Sequence, residues 1–203
     1  AMPKPLRLAF LGNREVSYAC LERLLQEDGL SVAAAVIHEE GFDPGTTASR
    51  AKMLDLCRRH DIPVFSVGKI ADIAAELRSL ALDLMVSVGF MSLIPEGVYS
   101  LPPHGCLNVH AGMLPKYRGR YPLNWALFNG EKEFGITVHQ VDEGIDSGDI
   151  IHQEGFPITA DDDAASLYER MVAQLPAVLA RGVRRIATGK GRPRRQREAA
   201  AIY

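Results

Sequence analysis

Three residues in this 203-residue chain have the side-chain types that acyl transfer to an amine requires: the amide of Asn108, the imidazole of His110 and the carboxylate of Asp146. An amide N–H donates to the oxygen that gains charge, an imidazole with an ordinary pKa of about 6.5 takes and returns a proton, and a carboxylate orients the imidazole. Each stands at the end of an apolar segment. Period-2 alternation puts Asn108 and His110 on one face of a strand, about 6–7 Å apart, so one small group can contact both.

Each residue also has a plainer reading. Asn108 can close a strand, and His110 can be a hydrogen-bonded core histidine. The acidic stretch DEGIDSGD, 142–149, can be a solvated loop or, with His139 and His152, a divalent-metal site. Metal is the weaker reading, since such clusters need several convergent ligands, and none is expected. Gly144 and Gly148 allow the loop its turns. Lys116, Arg118 and Arg120 follow His110 closely and are candidate contacts for an anionic acceptor, Arg118 first. Trp125 and Leu127 read as core. Asn13 is placed to cap a helix or meet a phosphate. Gly12 stands alone rather than in GxGxxG, which argues against a nicotinamide or flavin enzyme.

The elements that must carry these groups follow from periodicity. Apolar strands are expected at 7–11, 31–37, 63–67, 84–88 and 105–110, with helices near 16–25, 48–59 and 70–80 between them. A helix near 122–129, strands at 136–141 and 150–156, and a helix over 163–186 follow, with Pro176 as a kink or break. Alternating helices and nearly all-apolar strands predict an α/β, Rossmann-like, doubly wound and mostly parallel sheet in a single domain. Such sheets bind ligands at the strands' carboxyl ends, where Asn108 and His110 emerge.

Length and composition fit one globular domain: 47% of residues are hydrophobic and 24% charged, enough to bury a core. The domain is expected over 6–188. Ala1 and Met2 read as a vector remnant, and 189–203, GKGRPRRQREAAAIY, reads as a basic connector leading to a missing carboxyl-terminal region. The formal net charge of −2 gives no global attraction to nucleic acid or anionic membranes. Three widely spaced cysteines without a CxxC pair suggest neither a disulfide framework nor zinc, and no signal or membrane segment is evident, so a cytoplasmic protein is expected.

The spacing Asn-x-His, then Leu-Pro-x-Tyr-Arg-Gly, then His139 seven residues before Asp146 in Asp-x-Gly-x-Asp-x-Gly-Asp, resembles the 10-formyltetrahydrofolate-dependent formyltransferases. That family includes methionyl-tRNA formyltransferase, glycinamide ribonucleotide transformylase and the sugar N-formyltransferases. The resemblance is strong over 84–158. It implies Asn108 as oxyanion donor, His110 as catalytic imidazole and Asp146 as its partner and the orienter of a water. It leaves His139 as a supporting or packing group. It further implies 10-formyltetrahydrofolate as cosubstrate, bound by Phe90, Met91 and Leu93 of the SVGFMSLI segment and by Val141, Asp142 and Gly144, with Asn13 and Arg118 on the acceptor side.

The acceptor expected from the resemblance is the amine of a nucleotide-linked sugar. The segment YRGRYPLNWA looks more like the sugar enzymes than like the Trp-Arg-Gly-Ala-Ala-Pro loop of the tRNA enzymes, and GNREVS lacks the Gly-Ser-Asn phosphate loop of the purine enzymes. Methionyl-tRNA is the alternative, for which the arginine-rich 181–197 stretch supplies a polyanion contact. A deformylase ranks low, and a non-catalytic folate- or nucleotide-binding module is the second alternative. A homodimer is compatible with the sequence.

Overall fold

The computed structural model describes residues 4–42 and 44–202. Ala1 and Met2, read as a vector remnant, lie outside them, as does Tyr203 at the end of the expected connector. Seven strands alternate with helices in the expected α/β order, and the chain divides into two compact units, 1–107 and 108–203.

The first unit contains β1 (Leu6–Leu11), α1 (Glu15–Leu24), β2 (Leu30–His38), α2 (Thr47–Arg59), β3 (Val64–Val67), α3 (Ala74–Ser79), β4 (Leu84–Ser87) and α4 (Glu96–Tyr99). β1 pairs in parallel with both β2 and β4, and β2 with β3. Leu8–Leu11, Ala34–Val36 and Leu84–Val86 are wholly buried. A strand covered on both faces has no polar side to alternate with, which is why these segments read as continuous apolar runs.

The strand β5 (Cys106–His110) begins in the first unit and delivers Asn108 and His110 into the second, where α5 (Pro122–Phe128), β6 (Glu133–Gln140), β7 (Ile150–Pro157) and α6 (Ala164–Ala187) follow. β6 and β7 are antiparallel. α6 starts from a capping box: Ser166 N donates to Asp163 Oδ1 at 2.8 Å, and Asp163 N donates to Ser166 Oγ at 3.0 Å. Its apolar stripe, Leu167, Met171, Leu175, Val178, Leu179 and Val183, is buried. At Gly182 an added Cβ would lie 2.8 Å from Val138 Cγ1, so the missing side chain sets how closely α6 approaches β6.

Two expectations need correction. Pro176 does not break α6, which runs 24 residues through it; buried Leu175, Val178 and Leu179 on either side hold the turn where one backbone hydrogen bond is lost. Trp125 is not core: α5 buries Leu123 and Ala126, so Trp125 and Phe128 face out, 48% and 82% exposed.

Candidate active site

β5 supplies Asn108 and His110, β6 supplies His139 and the loop between β6 and β7 supplies Asp146 to a polar cluster within the second unit. His110 ends β5 and is 6% exposed, His139 on β6 is 2% exposed, and Asn108 and Asp146 are half-buried. Asp146 turns one carboxylate oxygen to each imidazole: Oδ2 lies 3.3 Å from His110 Nδ1, and Oδ1 lies 3.3 Å from His139 Nε2. The Asn108 amide completes the cluster, with Nδ2 3.3 Å from His139 Nε2 and 3.4 Å from Asp146 Oδ1.

The surrounding backbone fixes both rings. His110 Nε2 lies 2.7 Å from the Tyr117 carbonyl oxygen, and His139 Nδ1 lies 2.8 Å from that of Gln140. A carbonyl only accepts, so each of those nitrogens carries a proton. Tyr117 and Asp146, which grip His110 from two sides, both adopt left-handed backbone, with φ of 60° and 50°. Non-glycine residues hold that conformation only where the surroundings enforce it, and it recurs at functional sites.

Neighbouring polar contacts hold the loops in place. Thr137 Oγ1, fully buried on β6, donates to the Gly112 carbonyl at 2.6 Å and accepts from Gln153 Nε2 at 2.8 Å. Gly112 has no room for a side chain: a Cβ there would lie 2.7 Å from His110 Nε2. Gly119 N donates to Asp146 Oδ2 at 2.9 Å. In the acidic loop, Asp142 Oδ1 accepts from Gly144 N at 3.1 Å and Ser147 Oγ at 2.8 Å.

These contacts set the titration of the pair. Burial pushes His110 below its ordinary value, outweighing the Asp146 charge and the Tyr117 carbonyl, which pull it up; the charge of His139 adds to the fall. Burial pushes Asp146 up, but His139, the charge of His110 and the Gly119 N–H outweigh it and bring the carboxyl down to about 2. At neutral pH the site therefore presents an ionised carboxylate beside a neutral imidazole. An imidazole that is neutral at rest and gains a stabilising counter-charge on protonation can accept a proton, and a half-buried Asn108 amide beside it can donate a hydrogen bond to an oxygen that gains charge.

The remaining predicted residues sit as follows. Arg118 is not an open acceptor contact: its side chain is fully buried, donating to Gln196 Oε1 from Nε at 3.1 Å and pairing with Glu198 at 2.8 Å. Those partners lie 78 and 80 positions away, out of reach of local sequence reading. Asn13 is 3% exposed and does not cap α1, whose cap is Arg14; its amide donates to Thr46 Oγ1 at 3.4 Å. Phe90 stacks on the His38 ring at a centroid distance of 4.2 Å, while Met91 and Leu93 are 43% and 86% exposed. At the start of the acidic loop Val141 and Asp142 are half-buried and Gly144 is exposed. His152 is engaged by Glu154 at 2.6 Å, and among the described residues no group of three His, Cys, Asp or Glu side chains is placed to hold a metal. Sequence reasoning left the role of His139 open. Its period-2 register with Thr137 and its position seven residues before Asp146 were the available signals.

An amide, two imidazoles and a carboxylate at the strand ends of an α/β protein define a site suited to acyl transfer. The formyl transferase family model matches residues 7–183, and the chain belongs to that family. It is 38% identical over 168 residues to the methionyl-tRNA formyltransferase of Geobacter sulfurreducens, covering 82% of this chain and 53% of that protein. It is 34% identical over 202 residues to the same enzyme of Caldanaerobacter subterraneus, covering 98% of this chain and 65% of that one. The chain thus spans between half and two thirds of these relatives' length. Among solved structures, phosphoribosylglycinamide formyltransferase from Anaplasma phagocytophilum superposes with a TM-score of 0.78 at 27% identity, over 96% of this chain and 95% of that one.

Proposed function

We propose that this chain transfers the formyl group of 10-formyltetrahydrofolate to a primary amine. The observation that carries this reading is the convergence of Asn108, His110 and Asp146, with His139, in one cluster of the second unit. The cosubstrate supplies the formyl carbon. Asn108 N–H donates to the formyl oxygen as negative charge grows on it during addition of the amine, the His110–Asp146 pair takes the proton the amine sheds, and return of that proton to the folate nitrogen as the C–N10 bond breaks releases tetrahydrofolate and the N-formyl product. Asp146 stays ionised and stabilises the imidazolium.

Phe90, Met91 and Leu93 in the first unit, and Val141, Asp142 and Gly144 in the second, are the proposed folate contacts. Exposed apolar side chains at Met91 and Leu93, not committed to a core, fit an apolar ring ligand. The buried free cysteines suit a reducing compartment, which supports the cytoplasm.

The acceptor that the relatives favour is methionyl-tRNA, because two named methionyl-tRNA formyltransferases share 34–38% identity with this chain. Exposed Arg185, Lys190, Arg192, Arg195 and Arg197 suit a polyanion. The sequence YRGRYP after His110 favours the second reading, a nucleotide-linked amino sugar. Incubation with 10-formyltetrahydrofolate and either methionyl-tRNA or nucleotide-linked 3- and 4-amino sugars, following tetrahydrofolate release, separates the two. Release with tRNA alone is the expected outcome, and release with a sugar alone overturns the acceptor but leaves the chemistry.

A further inference from the structure

In the basic stretch 192–200, one residue is buried. Gln196 is 5% exposed, flanked on both sides by exposed arginines. Both ends of its amide are used. Oε1 accepts from Arg118 Nε at 3.1 Å and Nη2 at 3.0 Å, and Nε2 donates to the carbonyl oxygens of Asp146 at 2.8 Å and Gly148 at 2.7 Å. The backbone around it is also tied down. Arg194 and Ile150 exchange two N–H···O bonds at 2.9 Å, Arg118 N donates to the Ile202 carbonyl at 2.8 Å, and Glu198 accepts from Arg118 Nη1 at 3.0 Å. Within the expected basic connector, residues 194–202 form a clasp that joins two loops of the candidate site.

Both ends of the clasp converge on Asp146. Asp146 has its carbonyl held by Gln196, and its Oδ2 held by Gly119, whose neighbour Arg118 is held by Gln196 and Glu198. The left-handed backbone of Asp146 is a conformation that an L residue abandons unless such contacts enforce it. We propose that Gln196 is a positioning residue for the transfer site: by donating to the Asp146 and Gly148 carbonyls from an amide anchored on Arg118, it keeps the Asp146 carboxylate facing His110 and His139. This rests on the proposed function for its catalytic meaning, but its geometry is tested without turnover.

The groups facing His110 are the Asp146 carboxylate, the His139 imidazole and the uncharged Tyr117 carbonyl, so the influence of Asp146 on His110 is readable by difference. The experiment is an NMR titration of His110 in four proteins: the native chain, Asp146→Asn, Gln196→Met and the double variant. Asp146→Asn is expected to lower the His110 midpoint by half a unit or more in the native background, and by less than half as much in the Gln196→Met background. An equal drop in both backgrounds overturns the proposal. Gln196→Glu keeps an oxygen for Arg118 but loses the donor, so it should match Gln196→Met; a native-sized drop there also overturns the proposal, and this variant gives the same reading if Gln196→Met does not fold. Where turnover is present, Gln196→Met should lower kcat about tenfold with KM little changed. Absence of turnover in the native chain would count against the proposed function while leaving the titration result standing.

Discussion

Asp146 Oδ2 lies 3.3 Å from His110 Nδ1 while the same oxygen accepts the Gly119 N–H at 2.9 Å. The backbone donor aims the carboxylate so that it can face a ring that is 6% exposed. The amide at Gly119, the left-handed turn at Asp146 and the imidazole at the end of β5 thus form one device, and removing any part should disturb the others.

Asp146→Asn keeps the shape and removes the charge. The expected result is a fall in kcat of about a hundredfold or more, typical of an orienting partner in proton transfer, with unfolding still cooperative by circular dichroism. A change under fivefold would mean that Asp146 does not serve His110.

The acid limb of kcat/KM should lie below pH 6.5. His110 is held below its ordinary value by burial and is the proposed neutral base, so activity should persist to lower pH than a free histidine would allow. The rate profile from pH 4.5 to 8 reads this directly; a limb above 6.5 contradicts it.

Stability carries the same signs. A lowered His110 pKa means the unfolded chain binds its proton first, so stability declines as pH falls from 6.5 through the folded-state value. Asp146, brought from 3.8 to about 2, adds stability that is fully present above 3.8 and is lost as pH falls through about 2. A shift of that size corresponds to roughly 2 kcal/mol. Denaturant melts of the native chain and Asp146→Asn at pH 7 and at acid pH should converge as pH falls.

Gly148→Ala should be severely destabilising. A Cβ at that position runs into the Gln140 carbonyl oxygen at the end of β6, and backbone cannot give way as a side-chain tip can. A fall of several kcal/mol is expected, or failure to fold. Gly130→Ala, with no atom within 4 Å of the added carbon, provides a control that isolates the cost of a positive φ from that of a clash.

The three thiols should be silent in the native state. Cys20, Cys57 and Cys106 are buried, and burial pushes each thiol up, Cys57 to about 11. A thiol reagent at pH 8 should label none of them until denaturant is added, after which all three react. Fast labelling of one native thiol would contradict the packing around it.

Legibility in the sequence followed burial and distance along the chain. β1, β2 and β4 were readable because strands covered on both faces are uniformly apolar, and α6 because its apolar stripe repeats at helical spacing. β6 starts at Glu133 rather than at Ile136, since its pairing extends to Pro157 beyond the obviously apolar residues. The four-residue α4 left no periodic trace. Asn108, His110 and Asp146 were legible as types at a spacing, and the structure brings them together. What local sequence could not display was the set of long-range contacts: His139 reaching Asn108 from the next strand, and Arg118 turned inward to Gln196 and Glu198. Those depend on chain segments 31 to 80 positions apart.

The central claim is that the Asn108 amide and the His110 imidazole perform formyl transfer. The most direct measurement is tetrahydrofolate release from 10-formyltetrahydrofolate in the presence of methionyl-tRNA or an amino sugar nucleotide, for the native chain, Asn108→Ala and His110→Ala. Amine-dependent release by the native chain that falls a hundredfold or more in each variant is the predicted result. Release that continues at the native rate in folded His110→Ala and Asn108→Ala would contradict it.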